Sequence, residues 1–180
     1  MGNIKKKIKT QDELLTERKN GKQPVIDIAN HPFYVDMHRE TLRPHDDFWS
    51  KGIPFSAFDA FKISDDLSWI PYDPKKHEPV DINPFTLTEI PKDWIIVEIP
   101  NPRKLDPYGY ARENDFDIDE YVKDHPLQAD IKARVVVWSE TNIPGVVERN
   151  DEKLQLKRKR LYKPSGTKAK EAGVKQVRKR

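Results

Sequence analysis

The segment at positions 94–99 reads WIIVEI and is closed by Pro100. Branched and aromatic side chains favour β-strands, and an unbroken apolar run of this length is typical of a strand that is buried on both faces. A second segment, from Leu127 to Val137, alternates apolar with polar residues, as expected for a strand with one covered face. We therefore predict that these two strands form the framework of the fold.

Shorter patterns predict the elements around this framework. Thr10 with Glu13, and Asp117 with Glu120, have the spacing of a capping box, in which two side chains satisfy free backbone N–H groups at the start of a helix. We predict a short N-terminal helix that would be marginal in isolation. The other predicted elements are a helix at Asp117–Asp124, a helical turn at Ser56–Phe61, and weaker strands at Val25–Ile28 and Phe33–Val35.

Fourteen of the fifteen prolines lie between Pro24 and Pro144. Each proline removes a backbone donor and disfavours helix at the preceding residue, so long helices are not expected across Ile53 to Pro107. The chain has enough aromatic residues for one modest core, and those beside prolines are expected to pin long loops to it. We predict a small β-rich, proline-rich α+β domain with short helices and a disordered basic C-terminal tail.

The net charge of +3 conceals three segments of opposite sign. Residues 153–180 contain twelve Lys or Arg against one acidic residue, and residues 1–22 contain seven basic residues against three acidic ones. Residues 23–152 hold 14 basic and 26 acidic residues. The sequence therefore predicts a basic extension with a short helix, an acidic folded domain and a basic tail, with boundaries at these positions.

The composition excludes several classes of site. The chain has no cysteine, which excludes disulfides, thiolate zinc sites and cysteine nucleophiles. It contains neither a glycine-rich phosphate loop nor a G-x-S-x-G nucleophile motif, and we predict no catalytic residue and no cofactor. The N-terminus lacks a secretion signal and no run approaches the roughly 20 apolar residues that span a bilayer, so we expect a soluble, cytoplasmic protein that makes no membrane contact.

The basic tail carries the main functional prediction. Its charged blocks, interrupted by Pro164 and Gly166, cannot bury enough apolar surface to offset the entropy cost of ordering. Such a tail can neutralise the phosphates of RNA or DNA without reading bases, and Tyr162 could add a stacking contact. The predicted nucleic-acid-binding residues are Lys157, Arg158, Lys159, Arg160, Tyr162, Lys163, Lys168, Lys170, Arg178, Lys179 and Arg180.

These features favour a non-enzymatic binding or structural protein. Its tail would contact RNA, DNA or another polyanion without sequence specificity, while the acidic centre would contact a protein partner or join a larger particle. One alternative is a protein–protein adaptor whose tail binds an acidic partner.

A second alternative is a metal-dependent enzyme. His45 and Asp47 form an H-x-D pair, His125 could supply a second histidine, and Arg134 could hold an acidic co-substrate. Two histidines and one carboxylate on a β-rich scaffold can hold Fe(II) with open positions. This order of residues resembles that of the iron- and 2-oxoglutarate-dependent oxygenases, and the resemblance implies an Fe(II) site formed by the two histidines and Asp47.

Overall fold

The computed structural model describes residues 9–161 of the chain. Its helices are α1 (Gln11–Lys19), α2 (Ser56–Ala60), α3 (Pro102–Leu105), α4 (Pro107–Glu113), α5 (Ile118–Asp124) and α6 (Ile143–Leu161), with a 3-10 turn at Trp138–Glu140. Its strands are β1 (Val25–Ile28), β2 (His31–Asp36), β3 (Thr41–Pro44), β4 (Ile53–Pro54), β5 (Leu67–Asp73), β6 (Glu78–Pro79), β7 (Ile95–Pro100), β8 (Ile131–Lys132) and β9 (Arg134–Val136). The predicted α+β class is confirmed.

The strands of the described range form two sheets. The first has the order β4-β3-β2-β1-β8, and its neighbours are antiparallel except for β1 and β8, which are parallel. The second has the order β6-β5-β7-β9 and is antiparallel throughout. The longest pairing joins β5 to β7, with Leu67 opposite Pro100 and Tyr72 opposite Ile95. The strand predicted at 94–99 is therefore confirmed as β7, an interior strand.

The main hydrophobic core joins side chains from both sheets. Phe33 and Leu42 belong to the first sheet, Ile70 and Val97 belong to the second, and all four are completely buried in one cluster. Each such side chain contributes roughly 1.5–3 kcal/mol of burial free energy. Because β7 is paired on both edges and lined by this cluster on one face, its apolar run determines how the second sheet is built.

The predicted strand from Leu127 to Val137 is wrong as a single element. The chain pairs first with β1 as β8 and then with β7 as β9, so that it passes from one sheet to the other at Ala133. Burial no longer follows the alternation after this point, since Val135 is exposed and Val136 is buried. When the segment changes pairing partner, the opposite set of alternating side chains becomes buried, and the alternation in the sequence gives no sign of that change.

Helix α1 is part of the folded body. The predicted capping box is confirmed, because Thr10 and Glu13 each accept a hydrogen bond from the backbone of the other. The Gln11 amide both donates to and accepts from the backbone of Leu127, at 2.9 Å in each case. Leu14 is buried against Leu127 and α5. These contacts supply the packing that a short isolated helix lacks.

A buried ion pair also attaches α1 to the body. Arg18 Nε lies 3.6 Å from Oδ1 of Asp106, which stands where α3 meets α4, and both side chains are nearly completely buried. Burial lowers the pKa of Arg18. Burial likewise raises the pKa of Asp106, although its hydrogen bond to the Gly109 backbone acts in the opposite direction. The pair thus compensates two charges that would be costly to bury separately.

Helix α6 is the longest helix of the described range, and it runs across the predicted boundary at residue 153. Pro144 lies in its first turn, where a missing backbone donor costs nothing, and Thr141 Oγ1 accepts from the Ile143 N–H. The helix continues to Leu161, so Lys153–Leu161 is helical rather than unstructured, as suits its Lys, Arg, Leu and Gln content. Residues 162–180 of the predicted tail lie outside the described range. No helix within 9–161 is long and apolar enough to cross a membrane.

Candidate nucleic-acid interface

The first two turns of α6 attach it to the second sheet. Ile143 packs in a cluster with Ile96 of β7 and Val136 of β9, and Val146 is also buried. One turn further on, the buried Asn150 amide donates to the carbonyl oxygens of two residues in the loop between β6 and β7, Pro84 at 2.7 Å and Leu87 at 2.9 Å. Asn150 is therefore the last residue of α6 that is anchored in the body.

Beyond Asn150 the helix is an exposed arm, a name used here for Asp151–Leu161. Every residue of the arm is exposed to solvent. At a rise of about 1.5 Å per residue, the arm extends for roughly 16 Å. Its five basic residues are accompanied by only two acidic ones, both in its first two positions. The arm therefore presents cationic side chains to solvent along most of its length.

Four of the six cations of α6 lie on one side of the helix. Arg149, Lys153, Lys157 and Arg160 follow one another at i, i+4, i+8 and i+11, a spacing that places them on one face. The acidic residues, Glu148, Asp151 and Glu152, belong to the remaining circumference, where Gln155 donates to Asp151 at 2.8 Å. We call the four cations the basic face of α6. Successive members stand roughly 4.5–6 Å apart along the axis.

Only part of this face was predicted from the sequence. Lys157 and Arg160 were predicted and belong to it, whereas Arg158 and Lys159 are on α6 but at other angles around the axis. Arg149 was missed because it precedes the predicted tail, and Lys153 lies in that tail but was not among the predicted binding residues. The helical spacing of the four cations was the signal that could have found them. The remaining predicted residues, Tyr162, Lys163, Lys168, Lys170, Arg178, Lys179 and Arg180, lie outside the described range.

A charged network supports the turn from which α6 starts. Arg134 on the edge strand β9 donates a bidentate pair of hydrogen bonds to the Glu98 carboxylate, at 3.0 and 2.8 Å, and a third to Glu140 at 2.8 Å. Trp69 Nε1 donates to the same Glu98 carboxylate at 2.8 Å. The hydrogen bonds from Arg134 and Trp69 lower the pKa of Glu98, and the two carboxylates raise the pKa of Arg134. The side chain of Arg134 therefore links β7 to the 3-10 turn.

The proposed metal ligands are distributed over separate elements. His45 follows β3 and its ring lies against Tyr34, with 5.0 Å between centroids, and Asp47 accepts hydrogen bonds from the loop backbone that follows it. His125 ends α5, where its ring stacks on Tyr121 at 4.2 Å. Within residues 9–161, no three His, Asp or Glu side chains form a group that could hold a metal ion. The structure does not bring the three predicted ligands together.

The geometry of α6 is suited to contacts with phosphates. An exposed helix with cations on one face can neutralise several charges of a nucleic acid, and contacts of this kind position a protein without reading sequence. Comparison with known proteins adds no family to this description: no protein-family model, curated protein or solved structure matches the chain.

Proposed function

We propose that the protein is a non-enzymatic, nucleic-acid-binding component that holds RNA or DNA without sequence specificity through the basic face of α6. The observation that carries this proposal is the exposed arm, in which cations recur on one side of a helix that is anchored only at its base. The predicted basic residues at 162–180 would extend the same contact. The acidic side chains of the domain at residues 23–152 would face away from nucleic acid and toward a protein partner.

Segregation of charge supports a polyanion as the ligand. A solvated helix with no ligand gains nothing from separating its charges, and opposite charges at i and i+4 would stabilise it better. Arg149, Lys153 and Lys157 instead repeat like charge at i+4 spacing, which is unfavourable in the free helix. A ligand with regularly placed negative charges relieves this repulsion and releases its own counterions.

The experiment is a salt series of equilibrium binding to a single-stranded RNA and to duplex DNA. One variant replaces Arg149, Lys153, Lys157 and Arg160 with Gln, which preserves the length and helix propensity of the arm. The matched control replaces four exposed lysines of the body with Gln, namely Lys51, Lys75, Lys92 and Lys123. Both variants lose four positive charges, so any difference between them reports position rather than net charge.

We expect the basic-face variant to lose most of its affinity and to show a flatter dependence of log K on log salt. Each lost phosphate contact lowers the slope by about 0.9 for duplex DNA and about 0.7 for single strands, so four contacts correspond to a change of roughly 3. The control should keep the slope of the parent protein. Equal slopes for the two variants would contradict the proposal. Unchanged binding of both variants to an acidic polypeptide, with no binding to nucleic acid, would favour the adaptor alternative.

A further inference from the structure

The loop between β3 and β4 presents two adjacent aromatic side chains to solvent. Phe48 is 87% exposed and Trp49 is 97% exposed, the largest values among the big apolar side chains of the described range. Burying either ring against a partner would be favourable, and both rings are exposed in the unbound chain. Adjacent exposed rings form a contiguous apolar feature of the kind that marks an interaction site.

Hydrogen bonds hold this aromatic loop, residues 45–52, in place. Asp47 Oδ1 accepts from the backbone N–H groups of Trp49 and Ser50, at 3.1 and 3.2 Å. Ser50 Oγ donates to the His77 carbonyl at 3.1 Å, and the Lys51 N–H donates to the Glu78 carboxylate at 2.9 Å. The loop is thus tied to β6 and to the turn before it. The backbone that carries the two rings is therefore held in place, which lowers the entropy cost of ordering the loop on binding.

The base of the aromatic loop requires a glycine. Gly52 has a φ of +70°, in the left-handed region, and a Cβ at this position would overlap the carbonyl oxygen of Leu42. Its N–H donates to Ser50 Oγ at 3.0 Å. Because Gly52 has no Cβ, the backbone of β3 can pass close to it at Leu42. This contact brings the two ends of the loop together.

The arm of α6 offers a complementary surface that is also unoccupied within the described chain. Leu154, Lys157, Arg158 and Leu161 stand at i, i+3, i+4 and i+7, the arrangement that forms a hole for an inserted side chain in helix packing. Leu154 is 37% exposed and Leu161 is 84% exposed. We call these four residues the α6 hole. It has apolar ends and cationic sides.

We propose that two copies of this chain associate head to tail, with Trp49 of one copy seated in the α6 hole of the next and Phe48 packed beside it. The rings would contact Leu154 and Leu161, and a cation beside an indole face adds a further attraction. Charge is complementary as well, because the aromatic pair follows Asp46 and Asp47, whereas the hole carries Lys157 and Arg158. Pairing of two arms with each other is disfavoured, since it would bring like charges together.

The chain's own arm does not cover the aromatic loop, since Phe48, Trp49 and Leu161 are all more than four-fifths exposed in the same chain. The aromatic loop is bonded to residues at β6, which is one edge of the second sheet, whereas α6 follows β9 at the other edge. Three inter-strand spacings of about 4.8 Å separate these edges. A contact of this type joins different surfaces of the two copies, so it leaves one loop and one arm free and permits further addition.

The test is sedimentation velocity of the full chain, freed of nucleic acid, over a concentration series at low salt. The loop variant carries Phe48→Ser and Trp49→Ser, and the arm variant carries Leu154→Ser and Leu161→Ser. Matched controls are Phe85→Ser, which changes another exposed ring, and Leu156→Ser, which changes an exposed leucine at a different angle of α6. All of these variants keep every charge, so the outcome is independent of the proposed nucleic-acid contact.

We expect the parent chain and both controls to form species larger than a dimer as concentration rises. Each interface variant alone should remain monomeric, but their equimolar mixture should form a dimer and nothing larger, because one intact loop meets one intact hole. Formation of that dimer also shows that both variants are folded. A parent chain that is monomeric at every concentration, a parent that stops at a dimer, or a mixture that stays monomeric would each overturn the proposal.

Discussion

Helices α1 and α6 both flank the acidic body and both carry basic residues, yet the body holds them very differently. Helix α1 is attached along its length, by Gln11 at its start, Leu14 in its middle and Arg18 near its end. Helix α6 is attached over its first two turns and ends in an exposed arm. The difference shows that net charge does not decide whether a terminal helix docks. Docking depends on whether each turn carries a side chain with a buried partner.

The largest expected effect concerns the ion pair of α1. Arg18→Met leaves the Asp106 carboxylate buried without its cation, which costs about 3–5 kcal/mol when one partner of a buried pair is removed. The measurement is the free energy of unfolding from urea titration. Lys19→Met, on the exposed side of the same helix, is the control and should change stability by less than about 0.5 kcal/mol. Similar effects of the two substitutions would show that α1 is not docked through Arg18.

The same substitution in the two helices gives the next largest difference. Leu14→Ala removes a buried side chain and should cost about 2–4 kcal/mol, whereas Leu154→Ala in the arm should cost less than about 0.5 kcal/mol. Thermal unfolding at low protein concentration measures both without interference from association. If Leu154→Ala were as destabilising as Leu14→Ala, the arm would be packed in solution and the contrast between the helices would fail.

A smaller effect is expected at the point where α6 leaves the body. Asn150→Ala removes two hydrogen bonds, to Pro84 and Leu87, and leaves their carbonyl groups without this donor, at a cost of about 1–3 kcal/mol. The backbone amides in the third turn of α6 should also exchange hydrogen faster in this variant than in the parent protein. Gln155→Ala, within the arm, serves as the control. Equal exchange in the two variants would mean that Asn150 is not the anchor.

The smallest effect is a pH dependence of the network below α6. Because Arg134 and Trp69 lower the pKa of Glu98 in the folded protein, the unfolded chain takes up this proton first as the pH falls. The stabilisation is fully present above the ordinary carboxyl value of 4.5 and is lost as the pH falls from there through the folded-state pKa. Urea titrations between pH 6 and pH 3 should therefore show a shallower decline for Glu98→Gln than for the parent. Parallel declines would exclude this contribution.

Local patterns with a local cause could be predicted from the sequence. The capping box of α1 involves residues three positions apart, and the apolar run of β7 reflects burial of its two faces in separate clusters. The helix predicted at Asp117–Asp124 is confirmed as α5, with the Asp117 side chain accepting from the Glu120 N–H at 2.8 Å. In each case the physical cause lies within a few residues, so a window of sequence contains it.

Features that depend on distant partners could not be predicted. The division of the Leu127–Val137 segment between two sheets depends on β1 and β7, which are far away in sequence. The exposure of Phe48 and Trp49 could not be predicted either, because aromatic residues in this proline-rich chain are expected to pack in the core. Arg18 and Asp106 form a buried ion pair, although each charged residue, considered alone, is expected on the surface. The basic face was missed for a different reason, since its period is visible only once α6 is known to be a helix.

The close approach of Gly52 to Leu42 has a consequence for how the protein tolerates sequence change. Every other amino acid carries a Cβ, so each of the nineteen replacements at position 52 meets the same obstacle, while Phe48 and Trp49 can vary without harm to folding. Saturation mutagenesis scored by abundance in cells would therefore separate position 52 from its neighbours. Retention of aromatic residues at 48 and 49 among relatives would then indicate selection for a contact, since both rings are exposed and the fold itself does not require them.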